Sequence, residues 1–551
     1  MSPNAMRLLL SVLSLPLLGA GESPSPEASA AALITEGVLL GNDRFLSSDL
    51  LEGRAPATRG DALAEAYIAS QFEVLGLKPA GTDGYLQPFE LLGALGHPDV
   101  LTFSASGRTL ALRVPEEAIA SSGTAAEQAR LDAAEVVFVG YGIQAPEFDW
   151  DDFKGMDVRG KVLLVMNNDP SDDPALFAGK TRLYYGRWTY KMEMGQRLGA
   201  AGVIIIHTDA SAGYPWQVVQ TSWSGEQFFL PSPNLGPSLR AWATEDACRR
   251  LVALAGKDLD ALRGSAEQRS FRPVPLGVTL STDFHSTVRK THSANVLGVL
   301  PGTDPRRAGE YVVYTAHHDH LGVKSNAKPG EDAIYNGAVD DAGGVSQLLA
   351  VARAFASLPK RPARSILFAA VGAEEKGLLG SEYLVRHPPI PLGRMAVDIN
   401  MDGFKIFGAT RDVSVLGLGK TSLDKTLAAL AQAQGRVLGA DSFPEQGHFY
   451  RSDQFSFARA GVPALHYYSG VEAVGRPAGW GRAQQDAWVT KHYHQPSDEL
   501  GADWDLAGAV QDARLYFALG YAVAQAPGLP TWVKGDEFEA AGKAIRSAVV
   551  H

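Results

Sequence analysis

The heptad Ala316-His317-His318-Asp319-His320-Leu321-Gly322 sets an imidazole two residues ahead of a carboxylate. That spacing lets His317 meet a metal ion while Asp319 orients the ring from behind. The heptad follows the apolar, β-branched run 311–315, which reads as a buried strand. Ligands of open α/β sheets bind just beyond the carboxyl ends of strands, so the position suits a metal site. Three histidines around one aspartate also suit a solvated turn. Taken singly, the heptad leaves both readings open.

Five further stretches in the same half carry acids or histidine at element ends. Gly337-Ala338-Val339-Asp340-Asp341-Ala342-Gly343-Gly344 puts two acids at the start of a helix, and Ala373-Glu374-Glu375-Lys376-Gly377 follows the strand 366–371. Asn400-Met401-Asp402-Gly403 ends another strand, Ser452-Asp453-Gln454 precedes a strand through Val462, and Tyr493-His494-Gln495-Pro496 lies in a late loop. Each has an ordinary explanation: paired acids favour a helix dipole, and aspartate before glycine makes a turn. Their conjunction does not. Carboxylate and imidazole donors gathered this way suit zinc, with one position on each ion left open for water or substrate.

The elements that must position these residues alternate strand and helix from Ser293 onward, the pattern of a doubly wound sheet. Expected strands cover 295–300, 311–315, 365–371, 395–401 and 462–466. A helix after Asp341 carries Val345, Leu348, Leu349, Ala352 and Phe355 on one side. Earlier, 59–77 has the spacing of an amphipathic helix, stopped by Gly76 and Pro79. From about residue 130 short strands take over (135–139, 161–166, 203–206), with a helix-like segment at 191–198. This β-rich block ends near 270 and reads as an inserted domain. The tail 532–551 is expected to form a helix. Gly417-Leu418-Gly419-Lys420-Thr421 resembles a phosphate loop, but Ser414 stands where the first glycine is required.

A length of 551 residues implies two or three domains, and 45% hydrophobic with 20% charged residues is ordinary for a soluble globular chain. The net charge of −11 gives no footprint for nucleic acid. A single cysteine, Cys248, excludes an intrachain disulfide and any cysteine-rich zinc cluster. Arg7, the apolar run 8–18 and the small residues Gly19-Ala20-Gly21 have the layout of a signal peptide cleaved near Gly21. No other stretch is long and apolar enough to span a bilayer. A periplasmic or secreted location is therefore expected.

The AHHDHLG, GAVDDAGG, AEEKG, NMDG and YHQPSDE stretches resemble, in order and spacing, the dinuclear zinc exopeptidase family of secreted bacterial leucyl aminopeptidases and glutamate carboxypeptidase II. LGAAGVIIIH, within 190–207, resembles the protease-associated domain inserted in many members. The resemblance implies an α/β fold: a mixed, mainly parallel central sheet flanked by helices, with that β-rich domain inserted. The domains would be a signal peptide (1–21), the N-terminal part of the catalytic domain (22–130), the inserted domain (131–270) and the catalytic dizinc domain (271–551).

Matched motif by motif, the resemblance implies two zinc ions per chain. His317 and Asp402 would hold one, Glu375 and His494 the other, and Asp340 would bridge them, with a cis peptide to Asp341. Asp319 would orient His317, Glu374 would be the general base for a zinc-bridging water, and Tyr493 would stabilise the oxyanion. Asp398 is the rival for the Asp402 role. Gly343 replaces a common serine, which could loosen the turn after Asp340, and Gly403 stands where methionine is frequent. His318 and His320 are expected behind the ligands or at the surface.

The implied activity is aminopeptidase cleavage of peptide substrates. The alternatives are a carboxypeptidase or N-acyl amino acid hydrolase, a non-catalytic receptor-like relative, or a single-zinc cyclising transferase. Arg451 and Arg482 could clamp a substrate carboxylate, and Asp453 or Glu445 could seat an ammonium group. Trp188, Tyr214, Trp216 and Trp223 could face the cleft or form the inserted domain's core. Oligomeric state is not readable from the sequence.

Overall fold

Leu276, Val278, Leu280, Thr282 and Phe284 are buried in alternation with exposed neighbours, and burial becomes continuous from Ser293 to Gly298. The whole stretch is one 27-residue strand, Val274–Leu300, whose first part lies in one sheet and whose second part lies in another. Period-two burial marks the half-covered sheet, and unbroken burial marks entry into a sheet covered on both faces. The computed structural model describes residues 24–98, 100–171, 173–174, 176–232, 236–324 and 327–549. The leader expected over 1–21 lies outside the described residues.

The central sheet contains β1 (Leu86–Gly96), β2 (Val274–Leu300), β3 (Tyr311–His317), β4 (Ser365–Val371), β5 (Met395–Asn400), β6 (Asp412–Leu416), β7 (Val437–Ala440) and β8 (Ala464–Ser469). Their spatial order is β1-β2-β4-β3-β5-β8-β6-β7. The middle four, β4, β3, β5 and β8, run parallel, while β2 and β6 run antiparallel to β4 and β8. Every residue of β4 and β5 is buried, as their apolar sequences require. The fold is thus mixed α/β with a mostly parallel centre.

Alternate residues serve the two faces. Ile366, Phe368 and Ala370 pack with Val345, Leu348 and Phe355 of α3 (Gly344–Ala356) and Phe517 of α4 (Ala507–Gln525). Leu367, Ala369 and Val371 pack with Phe455, Phe457, Trp532 and Phe538 on the opposite face. α1 (Glu36–Leu46) and α2 (Arg59–Val74) join the first face through Leu39, Ile68 and Phe72. The helix expected to Leu77 ends at Val74, because Gly76 takes a left-handed turn at φ 71°. The strand expected at 462–466 runs Ala464–Ser469 instead. Pro463 just before it has no N–H to give a ladder. In the tail, the helix is Glu539–Ser547.

The second sheet runs Ala118–Ser122, Leu239–Thr244, Gly202–His207, Val162–Met166, Gln128–Phe138, the first part of β2, Val100–Ala105 and Arg108–Arg113. It carries the helices Trp188–Arg197, Trp216–Trp223, Glu245–Leu254 and Leu259–Ala266. It therefore begins at Val100, upstream of the boundary expected at 131. The early strands are short, and their partner at Thr279–Ser281 is remote in sequence.

Arg54, wholly buried, ties the amino-terminal segment to the catalytic loops. Its guanidinium donates to the carbonyls of Leu46 (2.6 Å), His318 (2.9 Å), Asn336 (2.6 Å) and Gly337 (3.0 Å). Removing it strands the carbonyls of Leu46, His318 and Asn336, each costing about 1–3 kcal/mol, while Gly337 O keeps the Ala342 N–H. Arg54→Met is expected to destabilise the protein by more than about 3 kcal/mol, read as a lowered urea midpoint. An unchanged midpoint would show that these carbonyls find other donors.

Candidate metal centre

Parallel strands deliver their carboxyl ends, and so their loops, to one edge of the sheet. His317 is the last residue of β3. Glu374 and Glu375 form a single turn just past β4, and Asp402 follows β5. Asp340 sits in the irregular turn Ala338–Gly343 that leads into α3, joined to Asp341 by a cis peptide. His494 follows the helix Trp480–Lys491.

The side chains of His317, Asp340, Glu375, Asp402 and His494 converge. His317 Nε2 lies 3.2 Å from Asp340 Oδ1 and 3.7 Å from Asp402 Oδ1. His494 Nε2 lies 3.1 Å from Asp340 Oδ2 and 3.2 Å from Glu375 Oε2. The two oxygens of Asp340 thus face different imidazoles, each with a further carboxylate beside it. Donors bound tetrahedrally at about 2.0–2.2 Å stand roughly 3.3–3.6 Å from one another. The observed separations of 3.1–3.7 Å match that spacing. With Glu374, four carboxylates face two imidazoles, an excess of negative charge even with both rings protonated. The donor set is of the carboxylate and imidazole kind that zinc takes.

Other acids serve as braces. Asp341 Oδ2 accepts from His317 N (3.0 Å), and its Oδ1 accepts from Gly344 N and Gly403 N (both 2.7 Å). A Cβ on Gly344 would lie 2.1 Å from Asp341 Oδ1, so glycine is needed there. Asp319 accepts from Glu374 N (2.9 Å) and Glu375 N (3.3 Å), and its Oδ1 stands 3.7 Å from His317 Nδ1. Asp498 accepts from Val339 N (2.9 Å) and Asp340 N (3.1 Å). Asp398 does not face the cluster; its Oδ1 accepts from Thr315 Oγ1 at 3.0 Å.

His318 and His320 are both buried, not surface residues. His320 Nδ1 stands 2.7 Å from Glu375 Oε1, the oxygen turned away from His494. His318 Nδ1 lies 3.3 Å from Asp61, with Glu65 close by. Gly343 does not loosen its turn: the Phe404 ring fills the space a Cβ would take, 2.6 Å away.

Burial alone would raise the Asp340 carboxyl, but bonds from His317 and His494 hold it well below the ordinary carboxylate range. Burial opposes charge on His317, yet Asp341, Glu374, Asp319 and Asp340 together raise its pKa well above normal. His494 is raised against burial by Glu375 and Asp340. Glu374 is raised well above the carboxylate range by burial, then by Asp453, Glu375 and Asp402. Tyr493 is likewise raised by burial, so its hydroxyl keeps its proton at neutral pH.

Two cavities, of about 480 and 400 Å³, meet at the cluster, and Glu374, Tyr493, His494, Arg451 and Tyr214 line both. Trp188 and Trp223 also line the smaller one, whereas Trp216 packs against His207 inside the inserted unit. Three residues not singled out from sequence matter here: Asp498, Arg54 and Ser222. Asp498 falls within the YHQPSDE stretch and was legible in principle. Arg54 and Ser222 act across 264 and 272 residues, and no local pattern marks them.

The sequence profile described as Peptidase family M28 matches residues 295–518, which hold all five converging side chains. Aminopeptidase YwaD of Bacillus subtilis is 25% identical over 515 residues, covering 90% of each chain. Aminopeptidase NAALADL1 of Mus musculus is 26% identical over 247 residues, 41% of this chain and only 30% of its own length. The solved structure of an aminopeptidase from Aneurinibacillus sp. strain AM-1 has a TM-score of 0.54 at 20% identity. It covers 91% of this chain and 97% of that one, so the two share a fold. The segment that matches the Peptidase family M28 profile thus carries the metal-type cluster at the strand ends.

Proposed function

We propose that this chain is an exported zinc exopeptidase, an aminopeptidase in the first instance, using two ions held around Asp340. One observation carries the reading: Asp340 reaches both imidazoles, while Glu374 stands beside them on the open cavities without joining the cluster. His317 and Asp402 would hold one ion, Glu375 and His494 the other. Zinc there supplies Lewis acidity toward water and a scissile carbonyl. Glu374, poised by its raised proton affinity, takes a proton from the attacking water and returns it to the leaving amine. Tyr493 donates its hydroxyl to the developing oxyanion. Asp319 fixes the His317 ring. The inserted unit, read as a protease-associated domain, walls the smaller cavity and restricts access to a chain end. Export rests on the leader pattern of residues 1–21.

A second reading, cleavage next to a free carboxylate, is favoured by Arg187. It is buried at 7% exposure, lines the smaller cavity, and its Nε has no hydrogen-bond partner. Burial, then the neighbouring Arg451, lowers its pKa to about 9, so it stays charged at neutral pH. A guanidinium so placed suits a substrate carboxylate. Arg482 is instead paired with Glu445 at 3.3 Å, and Asp453 is buried and lines neither cavity. Neither acid is a free seat for an ammonium group. Rates on free-amine and N-acylated forms of one peptide separate the readings, the aminopeptidase cleaving only the former.

Metal analysis of the full chain is expected to find two zinc ions, and Asp340→Asn to retain fewer than one with activity lost. Two ions retained by that variant would remove the shared carboxylate from the scheme. Glu374→Gln is expected to keep both ions and lower kcat by about 10²–10⁴-fold. Zinc uptake must also release protons. The raised pKa values of His317 and His494 keep protons on the rings in the metal-free protein, and binding requires both rings bare. Apparent affinity should therefore fall as pH falls through those raised values and level off above them. Titration calorimetry in two buffers of different ionisation enthalpy reads the release. Equal heats in both would contradict it.

A further inference from the structure

The two histidines of the cluster are steadied from different parts of the molecule. His317 presents Nε2 to Asp340 and Asp402 and turns Nδ1 toward Asp319, two residues further along the same loop. His494 presents Nε2 to Asp340 and Glu375, and its Nδ1 meets Ser222 Oγ at 2.8 Å. Ser222 lies on the helix Trp216–Trp223 of the inserted unit. A ring whose Nε2 binds a metal must carry its proton on Nδ1, and that proton needs an acceptor. Ser222 Oγ is placed to be it.

The helix is set for this contact. Thr221 and Ser224 turn their hydroxyls back onto the carbonyls of Gln217, Val218 and Gln220, the usual habit of such residues in helices. The hydroxyl of Ser222 reaches across to the ring instead. Gln217, on the same helix, donates to Gln495 Oε1 at 2.9 Å, so the helix holds the loop at the ring and at the residue after it. His494 itself sits outside regular structure at φ 56°, with no helix or strand to fix its side chain. Upstream, Arg182 N donates to Pro444 O at 3.0 Å, and the Arg451 guanidinium lies 5.2 Å over the Tyr214 ring. The inserted unit is thus pinned to the catalytic loops at several points around the contact.

We propose that Ser222 is a positioning residue for His494, so that the inserted unit completes one half of the metal centre as well as walling the substrate cavity. The proposal rests on the dizinc reading above. Loss of such a partner typically weakens metal binding about 10–100-fold. Because Ser222 touches only the His494 half, the effect should fall on one ion and spare the other.

The test titrates zinc into chelator-stripped full-length protein against a fluorescent competitor, comparing wild type, Ser222→Ala and Ser222→Thr. Wild type is expected to show two sites. Ser222→Ala should weaken one of them about 10–100-fold and leave the other within experimental error. Ser222→Thr, which keeps the hydroxyl, should restore the weakened site. The melting temperature of the stripped protein should be the same in all three, which separates loss of positioning from loss of fold. Two sites of wild-type affinity in Ser222→Ala would overturn the proposal, as would equal weakening of both sites or no rescue by threonine. A wild-type chain that binds no zinc would instead sink the dizinc reading itself.

Discussion

Holding Asp340, Glu374, Glu375 and Asp402 together is the constraint on which the rest of this structure depends. Two like charges 4 Å apart at a protein surface repel by about 4 kcal/mol. Asp340, Glu375 and Asp402 gathered beside buried rings cannot persist without compensation, and Glu374 answers the same field by holding its proton. Part comes from the imidazoles, whose raised proton affinity reports the negative field around them. Asp340 adds to that compensation by turning one oxygen to each ring.

The acids that do not face the cluster explain how the others stay in place. Asp341, Asp319 and Asp498 spend their lone pairs on backbone N–H groups, seven bonds in all, six of them joining segments distant in sequence. A buried carboxylate satisfied this way is a strong, directional tie. His317 N, Glu374 N, Glu375 N and Asp340 N are among the donors, so the chain is held at the residues whose side chains form the cluster. Arg54 does the complementary work on carbonyls, including that of His318. The site is built from loops, yet it is held as tightly as a helix or strand would hold it.

Much of this was legible from sequence because its signals are local. Strands β3, β4 and β5 announce themselves as largely apolar runs, and the chemistry-bearing residues sit at or just past their ends. Where sequence reading went astray, the cause was a contact between distant residues. The second sheet starts at Val100 because that strand pairs with β2, nearly 180 residues later. His318 and His320 look like spare imidazoles until Asp61 and Glu375 close against them. Gly343 suggests a loose turn until Phe404 fills it. Arg187 is one of fifty basic residues on the page and becomes notable only through burial with its Nε unpartnered among the described residues.

The two halves of the centre also differ in what they depend on. The His317 half takes His317 from the end of β3 and Asp402 from just past β5, braced by Asp319 and Asp341 from loops at the same sheet edge. The His494 half takes Glu375 from the loop after β4, but its histidine comes from a turn that the sheet does not hold. That turn is fastened from outside, by Gln217 and Ser222 of the inserted unit and by Asp498 just downstream. A shift of the inserted unit would leave the first half intact and disturb the second. The same shift would move Tyr214, Trp188 and Trp223, which wall the smaller cavity. The helix Trp216–Trp223 thus carries both Ser222, which meets His494, and Trp223, which walls the smaller cavity.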